Sequence, residues 1–184
     1  MIQIKNAAEL EKMRKACAIS AAALKAGGEA IEPGITTAEI DKIIYDFIVR
    51  HGARPNFLHL YGFPATACIS VNDTVIHGIP SRQQQIRPGD IVSIDTGCKI
   101  DGFNGDNACT YGCGKLDLEA QRLLDVTKES LHRGIEMARG GNRVGDIGHA
   151  VQTYVEENGF NVVREFGGHG IGKEFHEDPF VAHV

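Results

Sequence analysis

An α+β fold of two similar αβ halves with antiparallel sheet is predicted by three features of the sequence. A helix–helix–strand pattern opens at Asn6 and opens again at Asp117. Shifting the chain by 107 residues lays one short helix on the other without a gap: Gly34 falls on Gly141, Glu39 on Asp146, Ile40 on Ile147, Ile44 on Val151, Phe47 on Tyr154, Ile48 on Val155 and Gly52 on Gly159. The dipeptide Asp101-Gly102 separates two extended runs, the signal of a two-residue hairpin whose central residues need positive φ. Any two amphipathic helices match at some offset. A match that keeps both flanking glycines and the long helix before them indicates an internal duplication, with halves at about 1–115 and 116–184. The same offset sets Val184 opposite His77, so the second half is expected to be incomplete, without a counterpart of the hairpin.

The elements follow in order. Asn6 to Ala30 is predicted as a long helix opened by the capping box Asn6/Glu9 and closed before Pro33-Gly34. A second helix starts at the capping box Thr36/Glu39, carries the stripe Ile40, Ile43, Ile44, Phe47, Ile48, and stops at Gly52. Strands are expected at about Thr66 to Val71, Asp90 to Thr96 and Phe103 to Tyr111, set apart by Gly, Pro and Asn-Asp turn signals. Leu118 to Arg139 is the next long helix, broken by Gly140-Gly141, and Asp146 to Asn158 a shorter one ending at Gly159.

Composition sets the outer limits. A chain of 184 residues can bury one sizeable core or two small halves sharing one. A net charge of −5 without a basic run argues against a nucleic-acid site or an anionic membrane surface. The opening MIQIKNAAELEKMRK has no apolar signal region, and no run of eighteen apolar residues exists; the cytoplasm is the expected location. Five cysteines, Cys17, Cys68, Cys98, Cys109 and Cys113, are odd in number and irregularly spaced, which suits reduced thiols. Cys109 and Cys113 lack the second pair a structural zinc site needs, so core packing is expected for both.

The chemistry concentrates on the hairpin. With Asp101 and Gly102 in the turn, Ile100 faces Phe103 and Asp95 faces Ala108. Side chains alternate, so Asp106 shares the face of Asp95 one diagonal step away, roughly 7 Å at the backbone. Two such carboxylates would repel each other unless a cation lies between them. Asp95 follows the apolar run Ile91-Val92-Ser93-Ile94, and a buried carboxylate without a cation or donors is costly. Gly97, Gly102 and Gly105 are expected to keep the surroundings uncrowded. Three histidines stand in special settings: His77 in VNDTVIHGIP, His169 in GGHGIG on a loop after a strand, and His176 in KEFHEDP. Ordinary surface or core roles are the default for His51, His59, His132, His149 and His183. Imidazole with carboxylate suits Zn, Mn, Fe or Co.

VNDTVIHGIP, IDTGCKIDGFNGD, GGHGIG and FHEDP, in this order and spacing, resemble type I methionine aminopeptidases of the bacterial kind that lack an N-terminal extension. The resemblance spans essentially the whole chain. It implies the pita-bread fold of creatinases and aminopeptidases, two pseudo-symmetric αβ halves, as a single metallopeptidase domain. It also implies two divalent metal ions (Co, Mn, Fe or Zn) and removal of N-terminal methionine by metal-activated water. By the same resemblance, Asp95, Asp106 and His169 are metal ligands, and His77 and His176 are the catalytic histidines that hold substrate and steady the tetrahedral intermediate. Phe57, Leu60, Phe63, Cys68 and Phe175 line the methionine pocket; a soft apolar wall suits a thioether. The implied partners are the N-terminal methionine of peptides and nascent proteins, with the ribosome as their source; no nucleic-acid or membrane site is expected, and the complete protein should be a monomer. The family's two glutamate ligands belong to later motifs that these residues do not contain, so the chain is expected to be truncated at its C-terminus. Two other functions stay open: a noncatalytic pita-bread binding protein, and a proline-directed peptidase of the same fold.

Overall fold

A computed structural model describes residues 1–184. The chain forms two compact units. One comprises Lys5–Leu116 with the short segment Gly172–Phe175, the other Asp117–Ile171 and His176–Val184 with Met1–Ile4.

The first unit begins with α1 (Ala7–Glu29) and α2 (Thr37–Arg50), both opened by the expected capping boxes. Asn6 accepts from the Glu9 N–H while Glu9 accepts from that of Asn6, and Thr36 and Glu39 repeat the exchange. Ile40, Ile44 and Ile48 of α2 are fully buried, one side of the stripe that the periodicity marks. Below the helices lies an antiparallel sheet of β1 (Arg54–Pro55), β2 (Ala67–Val71), β3 (Ile91–Ile100) and β4 (Phe103–Gly112). β3 is central: β4 pairs along its whole length, and β2 and then β1 pair with successive stretches of it. β1 and the short 3₁₀ turn Leu60–Gly62 were not expected from the sequence.

β3 separates two environments. Val92, Ile94, Thr96 and Cys98 are fully buried, and three of them join Ala23, Leu24, Ile40, Ile44, Ile48 and Ile69 in the core beneath the helices. Ser93, Asp95, Gly97 and Lys99 alternate onto the other face. α1 lies so close to the core face that a Cβ on Gly105 would stand 2.5 Å from backbone atoms of Ala16 and Cys17. A Cβ on Gly97 would meet Gly105 O at 2.9 Å and the Phe175 ring at 3.1 Å. These two glycines therefore sit in crowded places, contrary to the open surroundings expected. They are small because backbone and an aromatic ring need the room. Only Gly102 stands clear, at φ +83° in the turn.

All five cysteines are free thiols. Cys113 is buried as expected, whereas Cys109 is exposed. β4 is an edge strand and Cys109 lies on its uncovered stretch, so the core role assigned to it does not hold.

The second unit holds α3 (Leu118–Met137) and α4 (Val144–Glu157), followed by the two-stranded sheet of β5 (Gly167–Gly170) and β6 (Glu177–Ala182). Gly134 of α3 lets Val151 and Ile147 of α4 approach, and Gly148 of α4 faces the backbone of Ala182 and Val184. α2 and α4 each have 14 residues and are displaced by the same 107 positions as the sequence match. Their flanks agree as well. Gly34 and Gly141 take φ of +98° and +97°, and Gly52 and Gly159 take +72° and +77°. No helix in the chain is long and apolar enough to cross a membrane.

Candidate metal centre

The turn that orders the carboxylates forms as the dipeptide demands: Asp101 and Gly102 take φ of +52° and +83°. Ile100 then pairs with Phe103, Asp95 with Ala108 and Gly97 with Asp106. Asp95 and Asp106 consequently share the face of the hairpin turned away from α1 and α2. Cys68 of β2 is the direct partner of Asp95 on the other side, which puts its thiol on that face too.

Burial, and after it the Asp106 carboxylate and their mutual hydrogen bond, push Asp95 up to about 7. Oδ1 of Asp106 is cut off from solvent. Two carboxylates so placed cannot both ionise cheaply without a positive partner. Their oxygen-rich donor set fits a divalent cation. The carboxylates stand as a pair: no group of three or more His, Cys, Asp or Glu side chains suited to an ion forms. Burial, followed by the charges of Asp95, Asp106 and Asp41, pushes the Cys68 thiol up to about 12. It stays protonated at neutral pH, as a packing group and not a nucleophile.

His77 belongs to the same unit, on the exposed loop between β2 and β3, at φ +56°. The loop is pinned beside it. Gly78 donates to Ser70 Oγ at 3.1 Å and accepts from Ile69 N–H at 2.9 Å, and a Cβ at Gly78 would lie 2.2 Å from Ile69 O. Of the residues expected to line a pocket, Phe57 and Cys68 are buried, Leu60 lies in the 3₁₀ turn that ends at Phe63, and Phe175 stands edge-on to Phe57 with ring centroids 5.5 Å apart.

His169 and His176 lie in the second unit, their rings 4.4 Å apart in an edge-on pair. His169 is not on a loop after a strand but inside β5, paired with Phe180 of β6 just before a register shift. Its Nδ1 stands 2.8 Å from Gly170 O; an N–H donated there leaves Nε2 as the ring's acceptor. Partial burial and the nearby His169 hold the His176 imidazole below its usual value. One buried residue of the Asp95 face escaped the sequence: Asn104, two positions before Asp106, is 2% exposed. Its alternation with Asp106 was the available signal.

Residues 11–183 match the model of metallopeptidase family M24. The methionine aminopeptidase of Clostridium perfringens (strain 13 / Type A) is 51% identical over 181 residues, which cover 98% of this chain and 72% of that protein. Methionine aminopeptidase 1 of Bacillus subtilis (strain 168) is 45% identical over 183 residues, covering 100% of the chain and 73% of the relative. The crystal structure of methionine aminopeptidase from Rickettsia prowazekii superposes with a TM-score of 0.97 at 38% identity, covering 100% of this chain and 73% of that one. Prolidase from Pyrococcus furiosus matches at a TM-score of 0.84 but 24% identity, a likeness of fold alone. The architecture is thus the pita-bread fold, and the chain belongs to metallopeptidase family M24, hydrolases that work with divalent metal.

Proposed function

We propose that this chain removes N-terminal methionine from peptides and nascent proteins by metal-assisted hydrolysis. The observation that carries this is the pair Asp95 and Asp106 on one hairpin face, in a chain 51% identical to a methionine aminopeptidase. Asp95, Asp106 and His169 are the proposed metal ligands, for two divalent ions of the Co, Mn, Fe or Zn class. Bound divalent metal would supply Lewis acidity and would lower the pKa of water enough for it to lose a proton near neutral pH and serve as the nucleophile toward a peptide carbonyl.

The chain's own residues do the rest. Asp95 and Asp106 give up a shared proton to receive positive charge. His77, set by the Gly78 anchor, and His176, kept largely neutral, are proposed to donate hydrogen bonds to the carbonyl oxygen and to orient the scissile amide. Phe57, Leu60, Phe63, Cys68 and Phe175 receive the methionine side chain, and the protonated Cys68 thiol keeps the wall uncharged. In this proposal the reaction takes place in the cytoplasm, on chains leaving the ribosome, and the complete protein is a monomer. The helix and glycine equivalences also support an origin of 1–115 and 116–184 from one repeated αβ unit within a single metallopeptidase domain.

Calorimetric titration with Mn²⁺, coupled to methionine release from the peptide Met-Ala-Ser, tests this function. Asp106→Asn is expected to weaken metal binding by more than about tenfold, since loss even of a supporting partner of a ligand costs about 10–100-fold. A wild-type chain that binds no divalent ion, or whose methionine release is indifferent to metal and to Asp106→Asn, refutes the proposal.

A further inference from the structure

Toward its turn, the face that carries Asp95 and Asp106 continues into a polar pair that the proposed chemistry leaves unused. Lys99 and Asn104 are direct partners, next on this face after Gly97 and Asp106. Asn104 is nearly inaccessible, an uncommon position for an amide, and its hydrogen bonds explain why. Its Nδ2 donates to Gly172 O at 2.9 Å and to Lys173 O at 3.0 Å. Its backbone N–H also donates to Gly172 O, at 2.9 Å, and Lys99 Nζ donates to Lys173 O at 2.6 Å. Two consecutive carbonyls, 68 residues away in sequence, are thus held by side chains and backbone of one hairpin.

The segment so held, Gly172–Phe175, packs as part of the first unit. It is a tight strap: Gly172 N–H donates to Glu174 O at 3.1 Å, and Lys173 Nζ pairs with Glu9 at 2.8 Å. What it delivers is Phe175. That ring packs edge-on against Phe57 and over Gly97, the strand partner of Asp106.

We propose that Asn104 is a positioning residue for specificity: its amide clamps the strap and so sets the Phe175 ring, which fixes how much side chain the pocket admits. The inference rests on Phe175 forming a wall of the methionine pocket. A hydrophobic pocket distinguishes substrates differing by one methylene by only about 10–200-fold, and it does so only if the wall does not give way. A ring on a four-residue strap gains that firmness because the buried Asn104 Nδ2 ties the two carbonyls together, and without it each keeps a single donor, Gly172 O the Asn104 backbone N–H and Lys173 O the Lys99 Nζ.

Asn104→Asp is the isosteric test, because it turns both Nδ2 donors into an acceptor facing two carbonyl oxygens. With the full chain and Mn²⁺, KM for Met-Ala-Ser is expected to rise about tenfold with kcat within about twofold, and the preference for Met-Ala-Ser over Leu-Ala-Ser to fall about tenfold, uniform binding being lost and not transition-state binding. Phe175→Ala should lose the same preference, and the double variant should be no worse than Phe175→Ala, because the two act as a unit. Lys99→Met, at the half-exposed end of the clamp, should raise KM in the same direction by a smaller factor, and it carries the test if Asn104→Asp does not fold. The clamp is overturned if folded Asn104→Asp or Lys99→Met leaves KM and preference unchanged, if kcat falls while KM holds, or if the losses of Asn104→Asp and Phe175→Ala add. Absence of metal-dependent methionine release from the wild type refutes the proposed function itself. An active wild type with indifferent variants refutes the clamp alone.

Discussion

Asp95 couples protonation to stability in the metal-free chain. Its carboxyl titrates near 4 when unfolded and is pushed up to about 7 in the fold, by burial first and by Asp106 second. Between those values the folded chain holds a proton that the unfolded chain has released, so stability is greatest below about pH 4 from this group and falls as pH rises toward 7. Thermal melts of the chelated chain should therefore show Tm decreasing from pH 5 to pH 8, after allowance for other groups. Asp95→Asn should flatten that slope, and added Mn²⁺ should reverse it by binding only the folded state. A slope unchanged by Asp95→Asn would mean the pair is not the source. The pairing of these aspartates was legible from the sequence because a two-residue turn transmits register rigidly along a hairpin. The crowding at Gly97 and Gly105 was not, because what approaches a strand from α1 or from Phe175 lies far off in sequence.

Single elements depend on such approaches. Gly105→Ala would put a Cβ 2.5 Å from the α1 backbone at Ala16 and Cys17, where no flexible side chain can yield. Overpacking of this kind costs about 1–3 kcal/mol, read as a lower denaturation midpoint; a wild-type midpoint would show that α1 can move away at no cost. The helices were legible to within a residue or two, because capping boxes at Asn6 and Thr36 and glycines at Gly34, Gly52, Gly141 and Gly159 act locally. The β5 segment Gly-Gly-His-Gly reads as a loop because it has none of the β-branched or aliphatic residues that signal a strand, yet it is a strand. β6 has no strand signature of its own because Pro179 lies inside it, where strands seldom tolerate proline. Both form through pairing with each other, which neither segment announces alone. Asn104 was missed for a related reason: its partners are carbonyls, and carbonyls have no sequence signature.

Across the molecule, burial is unevenly shared. Of the buried apolar residues, only Val126 and Val155 belong to the second unit, and Leu131, Ile135, Phe166 and Phe180 of that unit are exposed. A two-stranded sheet is marginal by itself. Amides of α3, α4, β5 and β6 should accordingly exchange hydrogen faster than those of β2, β3 and α2, whose opening requires disrupting the main core. Equal protection in both units would contradict this. The histidine pair His169 and His176 would then sit on the more mobile unit and the carboxylate pair on the more rigid one. The strap Gly172–Phe175 also imposes an order on synthesis. At roughly 5–20 residues per second, the 68 residues between Asn104 and Gly172 take about 3–14 seconds to emerge, whereas a hairpin closes in about 1–10 μs. The hairpin therefore waits with its Asn104 amide hydrated, and the Phe175 ring, the proposed pocket wall, joins it only after the carboxylates have already met.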